Sequence, residues 1–109
     1  MSDDATSPGP DAGPGIPPGA LCRELPIINK RGLHARASAK FVQMVERFDA
    51  EVWVTRGGET VGGTSIMGLM MLAAGPGTTI TVAAAGAEAE AALAAITELV
   101  ESKFNEEGT

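Results

Sequence analysis

Segments with a helical hydrophobic period alternate along this chain with segments that have the two-residue period of a β-strand. After His34, apolar or small residues recur at spacings of three and four, which is typical of the buried face of a helix. These residues are Ser38, Phe41, Val42, Val45 and Phe48. A second, clearer helix is predicted over residues 87–104, where one apolar stripe contains Ala89, Leu93, Ile96 and Val100. The alternation limits the chain to a mixed α and β fold.

The rest of the pattern predicts four short strands and one more helix. The strands lie at residues 24–28, 51–55, 60–61 and 79–84, and a short helix at residues 66–72 follows Ser65 as its N-cap. Pro26 has no amide hydrogen, so the first strand should lie at a sheet edge. Because the strands have one apolar face, helices should cover one side of an antiparallel sheet. The sequence therefore predicts an α+β, open-faced two-layer sandwich.

Residues 1–20 differ in composition from the rest of the chain. They contain five Pro and four Gly with only scattered apolar residues, so burial cannot offset the entropy of ordering them. We expect a disordered acidic arm at residues 1–20 and a single folded domain at residues 21–109. Outside the arm, eleven acidic residues face eight basic ones, which leaves −3 of the total charge of −6. This balance argues against a nucleic-acid partner.

The single cysteine, Cys22, cannot form an internal disulfide. No stretch has the length of a membrane span or the features of a signal peptide, so we expect a cytoplasmic protein that does not enter a membrane. Cys22 itself is interpreted as a small, half-buried residue at the start of the first strand. The chain has no second Cys and only one His, too few ligands for a metal site, and we expect neither a metal nor a cofactor.

His34 is the only histidine and lies where the first predicted helix begins. The first turn of a helix has amide N–H groups without partners and the positive end of the dipole, so the backbone of Ala35 and Arg36 can bind an anion. A neutral histidine there can accept a phosphoryl group, and Arg36 can hold its oxygens. The sequence has no Gly-rich phosphate loop for ATP, so the donor should be another phosphoprotein. The residues alone leave open an ordinary cap or surface histidine.

Two motifs resemble the signatures of HPr, the histidine-containing phosphocarrier family of the bacterial phosphoenolpyruvate-dependent phosphotransferase system. Residues 32–36 (GLHAR) resemble its active-site signature, and residues 65–70 (SIMGLM) resemble its second signature. The resemblance covers residues 21–103 and implies a four-stranded antiparallel sheet with three helices on one face. It implies that Enzyme I phosphorylates His34 at Nδ1, that Arg36 stabilises the group, and that a IIA-type protein accepts it during sugar transport. A monomeric phosphoprotein carrier without catalysis of its own is then expected.

The resemblance also implies regulation and docking. Ser65 matches the serine that HPr kinase/phosphorylase modifies in many bacteria, and a phosphate is tolerated at a helix N-terminus. A plain N-cap serine is the alternative. Ile66, Met67 and Met70 resemble an exposed apolar patch that Enzyme I and IIA partners contact, with core packing as the alternative for each. Arg31 stands where the family often has Asn, and it adds positive charge to the docking surface.

Departures from the family pattern leave the choice of partner open. Ala37 stands where many members have Pro after the active-site Arg. A nitrogen-regulatory branch of the family uses the same His site with different partners. The rival hypothesis is therefore a regulatory module of that branch, which acts through Ser65 and partner binding rather than sugar uptake. An RNA-binding sandwich would need several sheet aromatics and a basic face, whereas this chain has Trp53 alone and a net negative charge.

Overall fold

A computed structural model describes residues 16–106 of the chain. Within this range four strands form one antiparallel sheet: β1 (Leu21–Pro26), β2 (Glu51–Arg56), β3 (Glu59–Gly62) and β4 (Thr79–Ala85). Three α-helices accompany them: α1 (Ala35–Val45), α2 (Ile66–Met71) and α3 (Ala89–Glu101). A short 3₁₀ turn follows at Lys103–Asn105. The predicted α+β fold, with four antiparallel strands and three helices, is confirmed.

The strand order in the sheet is β1-β4-β2-β3, so β1 and β3 are the edge strands. β1 pairs with β4 from Leu21, opposite Ala84, to Pro26, opposite Thr79. Pro26 therefore ends an edge strand, as its missing amide hydrogen predicts. In the centre of the sheet, Val54 of β2 lies opposite Val82 of β4. Each of the long connections in this topology contains one of the first two helices.

One face of the sheet forms the core. Val52, Val54, Ile80 and Val82 are buried on this face, and α3 packs against β1 and β4. Burial of these alternating side chains is the main source of stability, at about 25 cal/mol for each Å² of apolar surface. On the other face, Cys22 is exposed, so the expectation that it is half-buried is wrong. Its strand is at the sheet edge, and this face has no helix over it among the described residues.

The N-terminal boundary was expected at residue 21. Residues 1–15 of the predicted disordered arm lie outside the described part of the chain. Residues 16–20 are described, and Ile16 is buried, with 5% of its surface exposed, whereas Pro17 to Gly19 are exposed. One residue of the predicted arm, Ile16, is thus buried rather than exposed.

Two helices end earlier than their apolar stripes. α1 ends at Val45, because the amides of Arg47 and Phe48 bond to carbonyls three residues earlier, in 3₁₀ geometry, at 3.2 and 3.1 Å. Phe48 still packs against the core. α3 ends at Glu101 rather than at Phe104. Phe104 is fully buried through a change of backbone direction instead of a further helical turn.

Candidate functional site

The loop between β1 and α1 has little freedom. Asn29 is fully buried, and its Nδ2 donates to the carbonyl of Gly32 at 2.9 Å. Gly32 has φ +67°, and a Cβ at this position would lie 2.5 Å from the carbonyl oxygen of Ala74. This site therefore requires glycine. The amide of Leu33 donates to the same Ala74 oxygen at 2.9 Å, so the loop is tied to the segment after α2. These contacts fix the backbone that leads into His34.

His34 is the N-cap residue of α1, in extended backbone with φ −76° and ψ −177°. Its carbonyl accepts the first helical bond, from the amide of Ser38 at 2.8 Å, whereas its imidazole does not cap the helix. The amides of Ala35, Arg36 and Ala37 therefore have no acceptor within α1. His34 thus begins the first helix, as predicted. These amides and the helix dipole make the surroundings of the imidazole favourable to an anion.

Glu106 is the residue at this site that the sequence reasoning missed. One of its carboxylate oxygens contacts Nε2 of His34, and the other accepts from Nδ2 of Asn29 at 3.2 Å. Burial acts to raise the pKa of Glu106, but the hydrogen bonds to His34 and Asn29 and the charges of His34 and Lys40 outweigh it. The pKa of Glu106 is therefore below its ordinary value, which keeps the group ionised at neutral pH.

A left-handed turn brings Glu106 to the histidine. Lys103, Phe104 and Asn105 all have positive φ, of 58°, 57° and 55°. This conformation costs roughly 1–2 kcal/mol for each non-glycine residue. Two contacts offset that cost: the ring of Phe104 is fully buried, and Nζ of Lys40 donates to the carbonyl of Phe104 at 2.6 Å. The only signal in the sequence is an acidic residue after the last helix, which by itself indicates no contact with His34.

The predicted phosphate-handling residues lie in the first turn of α1. Ala35 and Arg36 are exposed, and so is Arg31 in the preceding loop. Within residues 16–106 the guanidinium of Arg36 makes no hydrogen bond or ion pair. It lies two positions from His34, in the first turn of α1. The structure thus brings His34, Arg36 and the first-turn amides to one end of α1.

Ser65 is exposed and caps α2, and its Oγ accepts from the amide of Gly68 at 2.9 Å. The cap was predicted from the sequence. A hydroxyl in this position is open to a modifying enzyme and lies at the positive end of the short helix.

Four large apolar side chains of α2 face solvent, and we call them the α2 apolar patch. Their exposed fractions are 40% for Ile66, 69% for Met67, 40% for Met70 and 72% for Met71. Leu69 alone points into the core from this helix. The core-packing alternative for Ile66, Met67 and Met70 is therefore wrong. Met71, which the sequence reasoning did not single out, is the most exposed of the four.

Within residues 16–106, no three His, Cys, Asp or Glu side chains come together as ligands for a metal ion. None of the helices described has the length and apolar surface needed to cross a bilayer.

Comparison with known proteins agrees with this geometry. The family model PTS-HPr, described as the PTS HPr component phosphorylation site, matches residues 21–102. The chain is 51% identical over 86 residues to phosphocarrier protein HPr of Neisseria meningitidis. The aligned residues cover 79% of this chain and 97% of that protein. It is 45% identical over 86 residues to phosphocarrier protein NPr of Shewanella violacea, covering 79% and 94% of the two chains. The crystal structure of HPr-C-His from Thermoanaerobacter tengcongensis has a TM-score of 0.76 at 40% identity, covering 80% and 98%.

Proposed function

The chain belongs to the HPr family of phosphocarriers of the phosphotransferase system, and from this premise we propose that His34 is the residue that carries the phosphoryl group. The observation that carries the proposal is the position of the imidazole. It lies at the N-cap of α1 with 22% of its side chain exposed, next to three amides that have no acceptor in the helix. A phosphoryl group on this ring can bind the amides of Ala35 and Arg36, and Arg36 can add its guanidinium.

The proposed cycle has two transfers. Phosphorylated Enzyme I donates the group to Nδ1 of His34, and a IIA-type protein then removes it. Phosphoryl transfer depends mainly on positioning and on neutralising the charge of the phosphoryl oxygens. Exposed Arg36 and the first-turn amides supply that neutralisation without a metal or cofactor. The chain therefore acts as a carrier, and we expect no independent catalytic activity.

Partner binding is proposed to use the α2 apolar patch together with Arg31. α1 and α2 pack against each other, so the patch belongs to the same half of the molecule as the helix that begins at His34. Exposed methionines adapt to differently shaped partners, which suits a carrier that must dock on a donor and on an acceptor in turn. Arg31 adds a positive charge on the approach to His34. We propose that the carrier is a cytoplasmic monomer when it is not docked.

Ser65 is proposed as a regulatory site for HPr kinase/phosphorylase. Its hydroxyl is exposed at the N-terminus of α2 and next to the α2 apolar patch. A phosphate there adds about −1.5 to −2 charges at neutral pH. Such a charge beside an apolar docking surface opposes binding of Enzyme I, so kinase activity on Ser65 would reduce flux through His34.

The alternative is a regulatory module of the nitrogen-type branch. The similarity to NPr of Shewanella violacea favours this branch, and the similarity to HPr of Neisseria meningitidis favours the other. In the alternative, the patch and Ser65 carry the signal, and the phosphoryl group on His34 sets which partner binds. The two functions can be separated by measuring phosphoryl transfer through the chain with the Enzyme I and acceptor protein of each branch. The branch whose two proteins support transfer is the one that the chain serves.

The decisive experiment uses phosphoenolpyruvate and Enzyme I with the full chain. We expect an acid-labile, base-stable phosphate that is lost in His34→Ala and retained in Ser65→Ala. Incubation with HPr kinase and ATP should give an acid-stable phosphate that is retained in His34→Ala and lost in Ser65→Ala. Absence of label from wild type in the first assay would refute the carrier proposal, and acid-stable label in Ser65→Ala would refute the regulatory one. Sedimentation of the unphosphorylated chain measures its mass in solution and should give that of a monomer.

A further inference from the structure

Within residues 16–106, two buried apolar side chains, Ile16 and Ala83, do not belong to the hydrophobic core. We call the side of the sheet opposite the core the open face, and residues 16–20, which precede β1, the entry segment. We infer that the open face is a docking surface for the entry segment of the same chain, with Ile16 seated on Ala83 beside Trp53. This surface lies on the side of the sheet away from α1, so its role does not depend on phosphoryl transfer.

The open face has a row of three side chains across its middle. Side chains alternate between the two faces of a strand, and Val82 and Ala84 of β4 are part of the core. Ala83 lies between them and therefore points to the open face. It is paired with Cys22 of β1 on one side and with Trp53 of β2 on the other. The row thus contains one aromatic ring next to the smallest apolar side chain, which leaves room for another apolar group above Ala83.

The burial of this row requires a cover. Ala83 has 1% of its surface exposed, and Trp53, although large and outside the core, is half-buried. Among the described residues no helix lies over this face. Ile16 is 5% exposed, and the core does not account for its burial either. Contact between Ile16 and the row explains the burial of both, because each supplies the apolar neighbour that the other needs.

A tight turn at the start of β1 brings Ile16 back toward the sheet. The amide of Ala20 donates to the carbonyl of Pro17 at 3.2 Å, and Gly19 between them has φ +89°. Proline at the second position of a turn and glycine with positive φ at the third are typical of a type II turn. Pro18 already has the φ that the turn needs, which lowers the entropy cost of ordering the segment. The turn reverses the chain, so Ile16 returns alongside the first residues of β1.

The exposure of the first two residues of β1 indicates which way the entry segment runs. Leu21 is on the core side of this edge strand and is 43% exposed, so Ile16 does not cover the core side. Cys22 is on the open face and is also exposed. The entry segment therefore passes beyond the edge strand, and Ile16 reaches the row at Ala83 of β4. This path covers the inner strands of the open face and leaves the edge uncovered.

The docked entry segment has two consequences for the molecule. It removes the apolar part of the open face from water, which lowers the tendency of that face to associate with other proteins. It also attaches the N-terminal part of the chain to the side of the sheet away from the helices. The end of α1 that has His34 is on the helix side, so the docked segment leaves that end clear.

Nuclear Overhauser contacts of the full chain with labelled methyl groups test the docking directly. We expect cross-peaks from the methyl groups of Ile16 to the methyl of Ala83 and to the ring of Trp53. Cross-peaks from Ile16 only to core side chains, or none at all, would overturn the inference. A mixture of labelled and unlabelled chains tests the identity of the occupant. Cross-peaks between a labelled and an unlabelled chain would mean that a second copy covers the face, and would also overturn it.

Fluorescence gives a second measurement, because Trp53 is the only tryptophan. Ile16→Ser should move its emission to longer wavelength and increase its quenching by acrylamide. Gly19→Ala keeps the isoleucine but disfavours the turn, so it should cause a smaller shift in the same direction. The matched control is Ile28→Ser, at an isoleucine that is 46% exposed in the loop after β1, and it should leave the emission unchanged. Unchanged Trp53 emission in Ile16→Ser would refute the docking, and circular dichroism checks that each variant is folded.

Discussion

His34 and Glu106 are 72 positions apart in the chain, yet they form a hydrogen-bonded pair at the N-terminus of α1. The pair joins the start of the first helix to the segment after the last one. The Glu106 carboxylate accepts a hydrogen bond from Asn29 of the β1–α1 loop. Lys40 of α1 donates to the carbonyl of Phe104 and so anchors the turn that precedes Glu106. The histidine proposed to carry the phosphoryl group is therefore oriented by contacts from both ends of the described structure.

Arg36→Lys should slow transfer from Enzyme I to His34, and Arg36→Gln should slow it more. A guanidinium can bind two phosphoryl oxygens at once, whereas an ammonium binds as a point charge and a neutral amide does not balance the developing charge. We expect a loss of about a hundredfold for Arg36→Gln. Rapid-quench phosphorylation checks this. Arg47→Gln, a like change at an exposed position beyond the other end of α1, serves as the control and should transfer at the wild-type rate.

Gly32→Ala should destabilise the domain more than Gly57→Ala. Both glycines have positive φ, of +67° and +60°, so each substitution costs roughly 1–2 kcal/mol of backbone strain. Only at Gly32 would the new Cβ also approach Ala74, with 2.5 Å to its carbonyl oxygen, whereas nothing lies within 4 Å of a Cβ at Gly57. Urea unfolding measures the two free energies. Equal losses would contradict the close approach of the loop to Ala74.

The contribution of Glu106 to stability should depend on pH. The folded-state pKa of Glu106 is lowered, so its contribution is fully present above the unfolded-state pKa of about 4.3 and is lost as pH falls through the folded value. The difference in unfolding free energy between wild type and Glu106→Gln should thus be constant near neutral pH and shrink in acid. Chemical unfolding from pH 7 to pH 3 checks the sign. A difference that grows as pH falls would mean that the pKa is raised instead.

Met67→Ser and Met71→Ser should weaken the interaction with Enzyme I while leaving the domain folded. Both side chains are largely exposed, at 69% and 72%, so their removal costs little folding free energy. If the α2 apolar patch is a docking surface, each substitution should raise the KM of Enzyme I for this chain about fivefold, with little change in kcat. The control is Leu21→Ser, an exposed apolar residue (43%) at the end of β1 away from the loop that leads to His34. An unchanged KM in both methionine variants would rule out the patch as this docking site.

Ser65→Ala should cost about 1 kcal/mol of stability, because α2 loses the oxygen that accepts from the Gly68 amide. Ser65→Asp retains a capping acceptor and adds a negative charge, so it should be more stable than Ser65→Ala and slower in transfer from Enzyme I. Thermal unfolding and phosphorylation rates separate the two effects. Transfer at the wild-type rate in Ser65→Asp would argue against control of docking by charge at this position.

The parts of the site that depend on nearby residues were predictable from the sequence. The helical stripe that begins at Ser38 places His34 at the N-cap of α1, and Ser65 before Ile66 indicates the cap of α2. Both are local features, since caps and helical faces are set by residues within one turn. Pro26 likewise indicated an edge strand through its own missing donor. The ends of α1 and α3 were less predictable, because a 3₁₀ turn still packs Phe48 against the core and a left-handed turn buries Phe104 without another helical turn.

By itself the sequence determined the order of helices and strands, the apolar faces of α1, α3, β2 and β4, and the motifs that contain His34, Arg36 and Ser65. The reason is that hydrophobic period, capping and the limits on Pro and Gly act over a few residues. Only the tertiary structure decided the contact of Glu106 with His34, the full burial of Asn29 and the exposure of the α2 apolar patch. Each of these depends on which distant segments pack together, and no local pattern specifies a contact across 72 positions.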